Sequence, residues 1–113
     1  MTKSTVLVFT RYGMGDGPAG LQQTLAEKYL SLTLASNDLP DRILFYTEGV
    51  LLACEGSRVL PQLAELESKG THLIICKTCV DSLGVADKVK VGIVGGMPDI
   101  LESVQQADKV VSL

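Results

Sequence analysis

The chain has 113 residues, 46% of them apolar, and a formal net charge of −3. That length suits one domain, residues 1–113, able to bury about 65% of its unfolded surface without disulfides or metals. With no cluster of Lys or Arg, the charge balance argues against a nucleic-acid or anionic-membrane partner.

In chain order, "STVLVF" (4–9) reads as a first strand. Its apolar core, Val6 to Phe9, is too short for a signal peptide or a membrane span, so the cytoplasm is the expected location. The loop "RYGMGDG" (11–17) follows. A helix opens near Asp16 and Pro18 and runs to about Ser36. Leu21, Leu25, Tyr29 and Leu32 form the stripe expected to face a sheet. Ala26, Leu30 and Leu34 form a second stripe, free to meet another chain or to lie under a loop.

"RILFYT" (42–47) is the second strand, followed by "TEGVLLACEGS" (47–57) and a helix from about Ser57 to Lys69. Leu60, Leu63 and Leu66 point inward there, Pro61 suits the first turn, and Gly70 stops the helix. "THLIIC" (71–76) is the third strand, and a short helix follows Cys76 and ends at Gly84. "KVKVGIV" (88–94) is the fourth strand, a helix begins after "GGMPD" with Pro98 near its first position, and "KVVSL" (109–113) is the fifth strand. The runs are continuously apolar rather than alternating, as in strands covered on both faces. The βαβα order predicts an α/β fold: a three-layer α/β/α sandwich with a mostly parallel sheet of about five strands and right-handed crossovers.

In open parallel sheets, sites gather at the carboxyl ends of the strands. Three features fall on that edge: the loop 11–17, the segment 47–57 and "CKTC" (76–79). A thiol at the start of a helix meets unpaired N–H groups and the positive end of the helix dipole, which favour the thiolate. Cys76 and Cys79 are therefore the candidate catalytic residues, with Lys77 adding positive charge. Gly13, Gly15, Asp16, Gly17, Glu48, Gly49 and Lys77 form the candidate substrate or partner loop. The bland alternative is a buried apolar thiol ending a strand.

Other chemistries fit less well. Cys54, His72, Cys76 and Cys79 have zinc-ligand types, but His72 and Cys76 share a strand. Four residues at about 3.3 Å each separate them by roughly 13 Å, and ligands of one zinc sit within about 4 Å of each other. No metal and no cofactor is expected. A thioredoxin-type dithiol usually follows the first strand of its fold beside a Trp or Pro, whereas this pair follows the third; a reversible disulfide between the two Cys stays open. "GDGPAG" (15–20) is a literal Gly-x-Gly-x-x-Gly, but it stands four residues beyond the strand end and has no acidic residue at the usual ribose position. His72 is the only His, so no Ser/His/Asp set can form.

The run Phe45-Tyr46-Thr47-Glu48-Gly49-Val50, then Cys76-Lys77-Thr78-Cys79, then Val91-Gly92 with Met97 and Ile100, resembles the DsrE/DsrF-like superfamily. It is most similar to the YedF-like branch, linked to sulfur and selenium metabolism. That branch shows Phe-x-Asn-x-Gly-Val, Cys-Gly-Thr-Cys and Val-Gly…Asn-Met-x-x-Ile; here Thr47 stands for Asn and Lys77 for Gly. The resemblance implies a homo-oligomer (dimer, trimer or hexamer) and a sulfur-carrier or sulfurtransferase-like protein. Sulfane sulfur would be held as a persulfide on Cys76, where relay members carry a Cys after the third strand. Cys79 matches the second Cys of the YedF-like motif. A TusA-like domain found beside that branch has no counterpart in these residues, so a TusA-like sulfur carrier is an expected partner. The alternatives are a non-enzymatic oligomeric binding module with incidental thiols and a dithiol redox protein.

Overall fold

Residues 4–113 are described by the computed structural model. The apolar runs become β1 (Thr5–Phe9), β2 (Arg42–Phe45), β3 (His72–Cys76), β4 (Ile93–Gly95) and β5 (Lys109–Ser112). Between them lie α1 (Ala19–Ser36), α2 (Leu60–Ser68), α3 (Lys77–Ser82) and α4 (Met97–Gln106), and a 3₁₀ helix, Thr47–Ala53, follows β2. The strands lie side by side in the order β4-β3-β2-β1-β5. Every neighbouring pair is parallel, so the sheet is wholly parallel rather than mostly so.

The layering follows from this order. The chain steps from β1 to β4 in one direction, then returns past β3, β2 and β1 to place β5 beside β1. Right-handed crossovers put α1, α2 and α3 on one face, and reversing the direction puts α4 on the other. Arg58 and Gln62, flanking and within α2, donate to Thr24 and Ser31 of α1 at 3.2 and 3.3 Å. Across the sheet, Arg42 Nη1 donates to Ser103 Oγ of α4 at 2.7 Å. With both faces covered, Val6 to Phe9, Ile43 to Phe45, Leu73, Ile75 and Cys76 are all buried.

Three expectations are corrected. On α1 the two stripes change places: Ala26 and Leu30 are wholly buried, whereas Leu21, Leu25 and Leu32 are 51%, 40% and 70% exposed. Apolar residues lie on more than one side of the helix, so periodicity alone does not fix its roll. The preceding loop does: Met14 N–H donates to the Gln22 carbonyl, and a Cβ on Gly13 would stand 2.5 Å from Gln22 backbone carbon. Asp16 does not cap the helix. Pro18 precedes its first residue, and the Asp16 carboxylate sits 3.0 Å from Arg11 Nη1 instead. The fourth strand is shorter than the run 88–94, because Ala86–Lys88 forms a 3₁₀ turn and Val89 bridges to Cys54 before the chain joins β3.

One contact fixes how the segment after β2 sits on the sheet. Gly49 is buried in the 3₁₀ helix, and a Cβ there would lie 2.1 Å from the Phe9 carbonyl oxygen. That oxygen also accepts the Tyr46 N–H at 3.1 Å. Gly49→Ala is expected to cost about 3 kcal/mol, the upper range for forcing atoms into a packed site, read as a lower urea midpoint with an unchanged slope.

Candidate functional site

The end of β3 runs directly into α3. Cys76 is the last strand residue, its backbone is extended (φ −65°, ψ 119°), and helical geometry starts at Lys77. That junction places Cys79 one turn further on, over Cys76. Cys76 is 0% exposed and belongs to the main core cluster with Ile75 and Val80. Its side chain is therefore closed off in the single chain among the core residues, contrary to the expectation of a reachable nucleophile. Cys79 is half-buried and is the thiol of the pair that solvent can reach.

The Cys79 sulfur has two neighbours that matter. Thr47 N–H donates to Sγ at 3.0 Å, and the Cys76 thiol lies against it. Burial pushes the Cys79 thiol above its ordinary pKa, and hydrogen bonding to Cys76 adds to the rise, while the Thr47 N–H opposes it. Desolvation thus outweighs the helix start, and the resting group is a neutral thiol rather than the thiolate expected. Lys77 does not change this. Its ammonium is 2.6 Å from Asp81 one turn along an exposed face of α3.

The 3₁₀ helix brings Thr47 to this sulfur at a cost. Thr47 has φ +54°, a left-handed conformation that a β-branched residue rarely adopts. Such strain costs about 1–3 kcal/mol and persists only where surrounding contacts enforce it. Here they do, through Gly49 packed on Phe9 and the N–H held by Cys79. The sequence reading missed this backbone donor. Its one signal was Thr47 standing where the family pattern has Asn, a residue that accepts left-handed geometry more readily.

The loop 11–17 and Glu48 form a second, adjacent feature. Arg11, Tyr12, Asp16, Gln22, Glu48 and Leu51 line a cleft of about 440 Å³ at the carboxyl ends of β1 and β2. Neither Cys76 nor Cys79 lines it. Gly13, Gly15 and Gly17 shape the loop rather than the cleft wall. The Gly15 carbonyl accepts both Arg11 Nη1 and Gln22 Nε2 at 2.9 Å, which folds the loop onto itself. Gly20, the last glycine of the nucleotide-like pattern, is already inside α1. The structure therefore brings together Cys76, Cys79 and Thr47, sets Glu48 and Asp16 beside them in the cleft, and leaves Gly49 and Lys77 in structural or solvent-facing positions.

Cys54 stands apart from the pair. Its thiol donates to the Val50 carbonyl at 3.2 Å; burial raises its pKa and Lys88 counters that rise. His72 is exposed at the far, amino end of β3. Among the described residues no three His, Cys, Asp or Glu side chains are grouped to hold a metal.

A model of the DsrE/DsrF-like family matches residues 12–113. The fold is similar to the crystal structure of the ychN protein from E. coli, with 18% identity, a TM-score of 0.71, and 99% of this chain and 100% of that one covered. It is equally similar to MTH1491 from Methanobacterium thermoautotrophicum, a protein of unknown function, with 14% identity, a TM-score of 0.71 and the same coverage of 99% and 100%. None of these matches singles out the YedF-like branch. No curated protein is significantly similar to the chain.

Because Thr47 holds a conformation that suits Asn better, Thr47→Asn is expected to raise stability by about 1 kcal/mol, measured by chemical denaturation. Destabilisation by this substitution would show that the threonine side chain, rather than the backbone, holds the site together.

Proposed function

The chain belongs to the DsrE/DsrF-like family, associated with sulfur relay, and on that premise we propose that it is a sulfurtransferase-like sulfur carrier. Sulfane sulfur is taken up as a persulfide at the Cys76–Cys79 pair and passed to a partner's thiol, with a TusA-like carrier as the candidate partner. The observation that carries this reading is the Cys79 sulfur itself: half-buried, on the carboxyl edge of the sheet, with the Thr47 N–H at 3.0 Å. Family resemblance pointed to Cys76 as the receiving thiol. Burial of Cys76 favours Cys79 for that first step, with Cys76 behind it. The Cys79 thiolate attacks the outer sulfur of a donor persulfide, whose own thiolate leaves, and the Thr47 N–H stabilises the Cys79 thiolate before attack.

The second reading is an oligomeric binding module, and the raised thiol pKa favours it, since a standing thiolate is absent at neutral pH. Its ligand would occupy the cleft beside Glu48. In either case the chain is proposed to work as a homo-oligomer. The exposed stripe of Leu21, Leu25 and Leu32 runs along α1, and Ile93, Met97 and Leu101 form another exposed apolar set. Native mass spectrometry is expected to find two or more chains; a monomer at micromolar concentration would remove the assembly.

The experiment that separates the readings is anaerobic incubation with a small alkyl persulfide, followed by intact mass measurement. A carrier gains sulfur chemistry that depends on Cys79 and is lost in Cys79→Ser. The pH profile has a definite sign. Only the thiolate attacks, and the folded pKa lies above that of a free thiol. Uptake should therefore be slower than for a free thiol near neutrality and keep rising with pH after a free thiol has levelled off. An intact oligomer on which Cys79 undergoes no sulfur chemistry at any pH leaves the binding module.

A further inference from the structure

Cys76 has no role as an external nucleophile while it is sealed in the core, yet a core thiol placed against a working sulfur has one direction in which to react. We propose that Cys76 is the resolving thiol of the site: it attacks the Cys79 persulfide from within, releases hydrogen sulfide and leaves a Cys76–Cys79 disulfide. This rests on the carrier reading and adds the fate of the sulfur when no acceptor thiol arrives.

Three observations support the step. Cys76 is wholly buried, so the groups able to reach its sulfur are those of its own chain packed around it. Cys79 is one of these: it lies three residues on, in the first turn of the helix that Cys76 precedes, and packs against the core cluster that holds Cys76. Cys79 is partly exposed and Cys76 wholly buried, so an added sulfur has solvent on one side and Cys76 belongs to the core side. The step needs the Cys76 sulfur to approach the Cys79 sulfur opposite the departing one, from that core side. Residues three apart in a helical turn have Cβ atoms roughly 5–6 Å apart, and a disulfide brings them to about 3.5–4.5 Å. Closing the bond therefore needs a small tightening of the first turn of α3. That helix is only six residues long, and Cys76 itself is still extended.

The step balances. Cys79–S–SH and Cys76–SH give the Cys76–Cys79 disulfide and H₂S. One S–S bond breaks and one forms, and the Cys76 proton leaves with the sulfide. The sulfane sulfur gains two electrons and becomes sulfide, while the Cys76 thiol and the Cys79 sulfur end as a disulfide. A dithiol reductant resets the pair. An acceptor thiol that arrives first takes the outer sulfur instead, so Cys76 sets a time limit on storage.

The test uses the whole chain, fully reduced, without oxygen, and an alkyl persulfide as donor. Intact mass and released sulfide are followed against a donor-only blank. The native chain is expected to lose two hydrogens and release about one sulfide per chain, by the stoichiometry of thiol–disulfide exchange. Cys76→Ala, which keeps a small apolar group in the buried position, is expected to stop one sulfur heavier and to release no sulfide above Cys79→Ser. A native chain that holds its added sulfur as long as Cys76→Ala does would overturn the resolving role and leave the carrier standing. Sulfur gained by Cys79→Ser but not by a folded Cys76→Ala would overturn the resolving role and make Cys76 the receiving thiol, whereas failure of the native chain and both variants to gain sulfur or release sulfide above the blank would overturn the carrier reading and this inference with it.

Discussion

A missing side chain governs the site. Gly49 lets the 3₁₀ helix rest directly on the carbonyl oxygen that ends β1, where any Cβ would stand 2.1 Å away. Because that helix is pressed down onto the strand end, the backbone leaving β2 must turn sharply, and Thr47 takes the left-handed conformation. The turn aims the Thr47 N–H across to the next crossover, where it meets the Cys79 sulfur. Stacking of Phe9 on Phe45, paired residues of β1 and β2 with centroids 5.8 Å apart, stiffens the floor beneath. A close approach on the first strand thus decides the electrostatics of a thiol beyond the third.

The consequence is a neutral, poised site rather than an ionised one. A helix start favours a thiolate only where the sulfur stays solvated or charge is close by. Among the described residues the donor bonded to the Cys79 sulfur is one backbone N–H, the neighbouring Lys77 is paired with Asp81, and Cys76 belongs to the core side. Desolvation and thiol–thiol hydrogen bonding prevail. Any sulfur chemistry at Cys79 then starts from the protonated thiol.

Much of the architecture was legible in the sequence because β-rich apolar runs and Gly or Pro punctuation speak through local rules. Five strands, four helices and the placing of Cys76 at a strand end followed from those. What local rules left out was set by packing between distant segments. The roll of α1 depends on the loop that docks on Gln22, so the wrong stripe was expected to face the sheet. The fourth strand was overestimated because Val89 pairs with Cys54 instead of with β3. At the candidate site, the sequence placed the two thiols and the Gly-rich loop on the carboxyl edge of the sheet, but the full burial of Cys76 and the Thr47 donor were not legible. Whether a strand-end side chain is closed over depends on how the next helix folds back, and a backbone N–H has no sequence identity at all.

The swapped stripe on α1 bears on how such a site could be served. Leu21 stands at the start of the exposed set, beside Gln22 of the cleft wall and within van der Waals reach of Gly17. The apolar surface thus begins at the rim of the carboxyl edge and runs away from it along α1. That stripe therefore borders the cleft next to Glu48, while α3 and Cys79 pack against the 3₁₀ helix through Thr47. The 3₁₀ helix stands between them, bonded to the thiol through Thr47 at its first residue and facing the cleft through Glu48 and Leu51. Anything that moves this helix from the cleft side must also move the hydrogen bond on the sulfur.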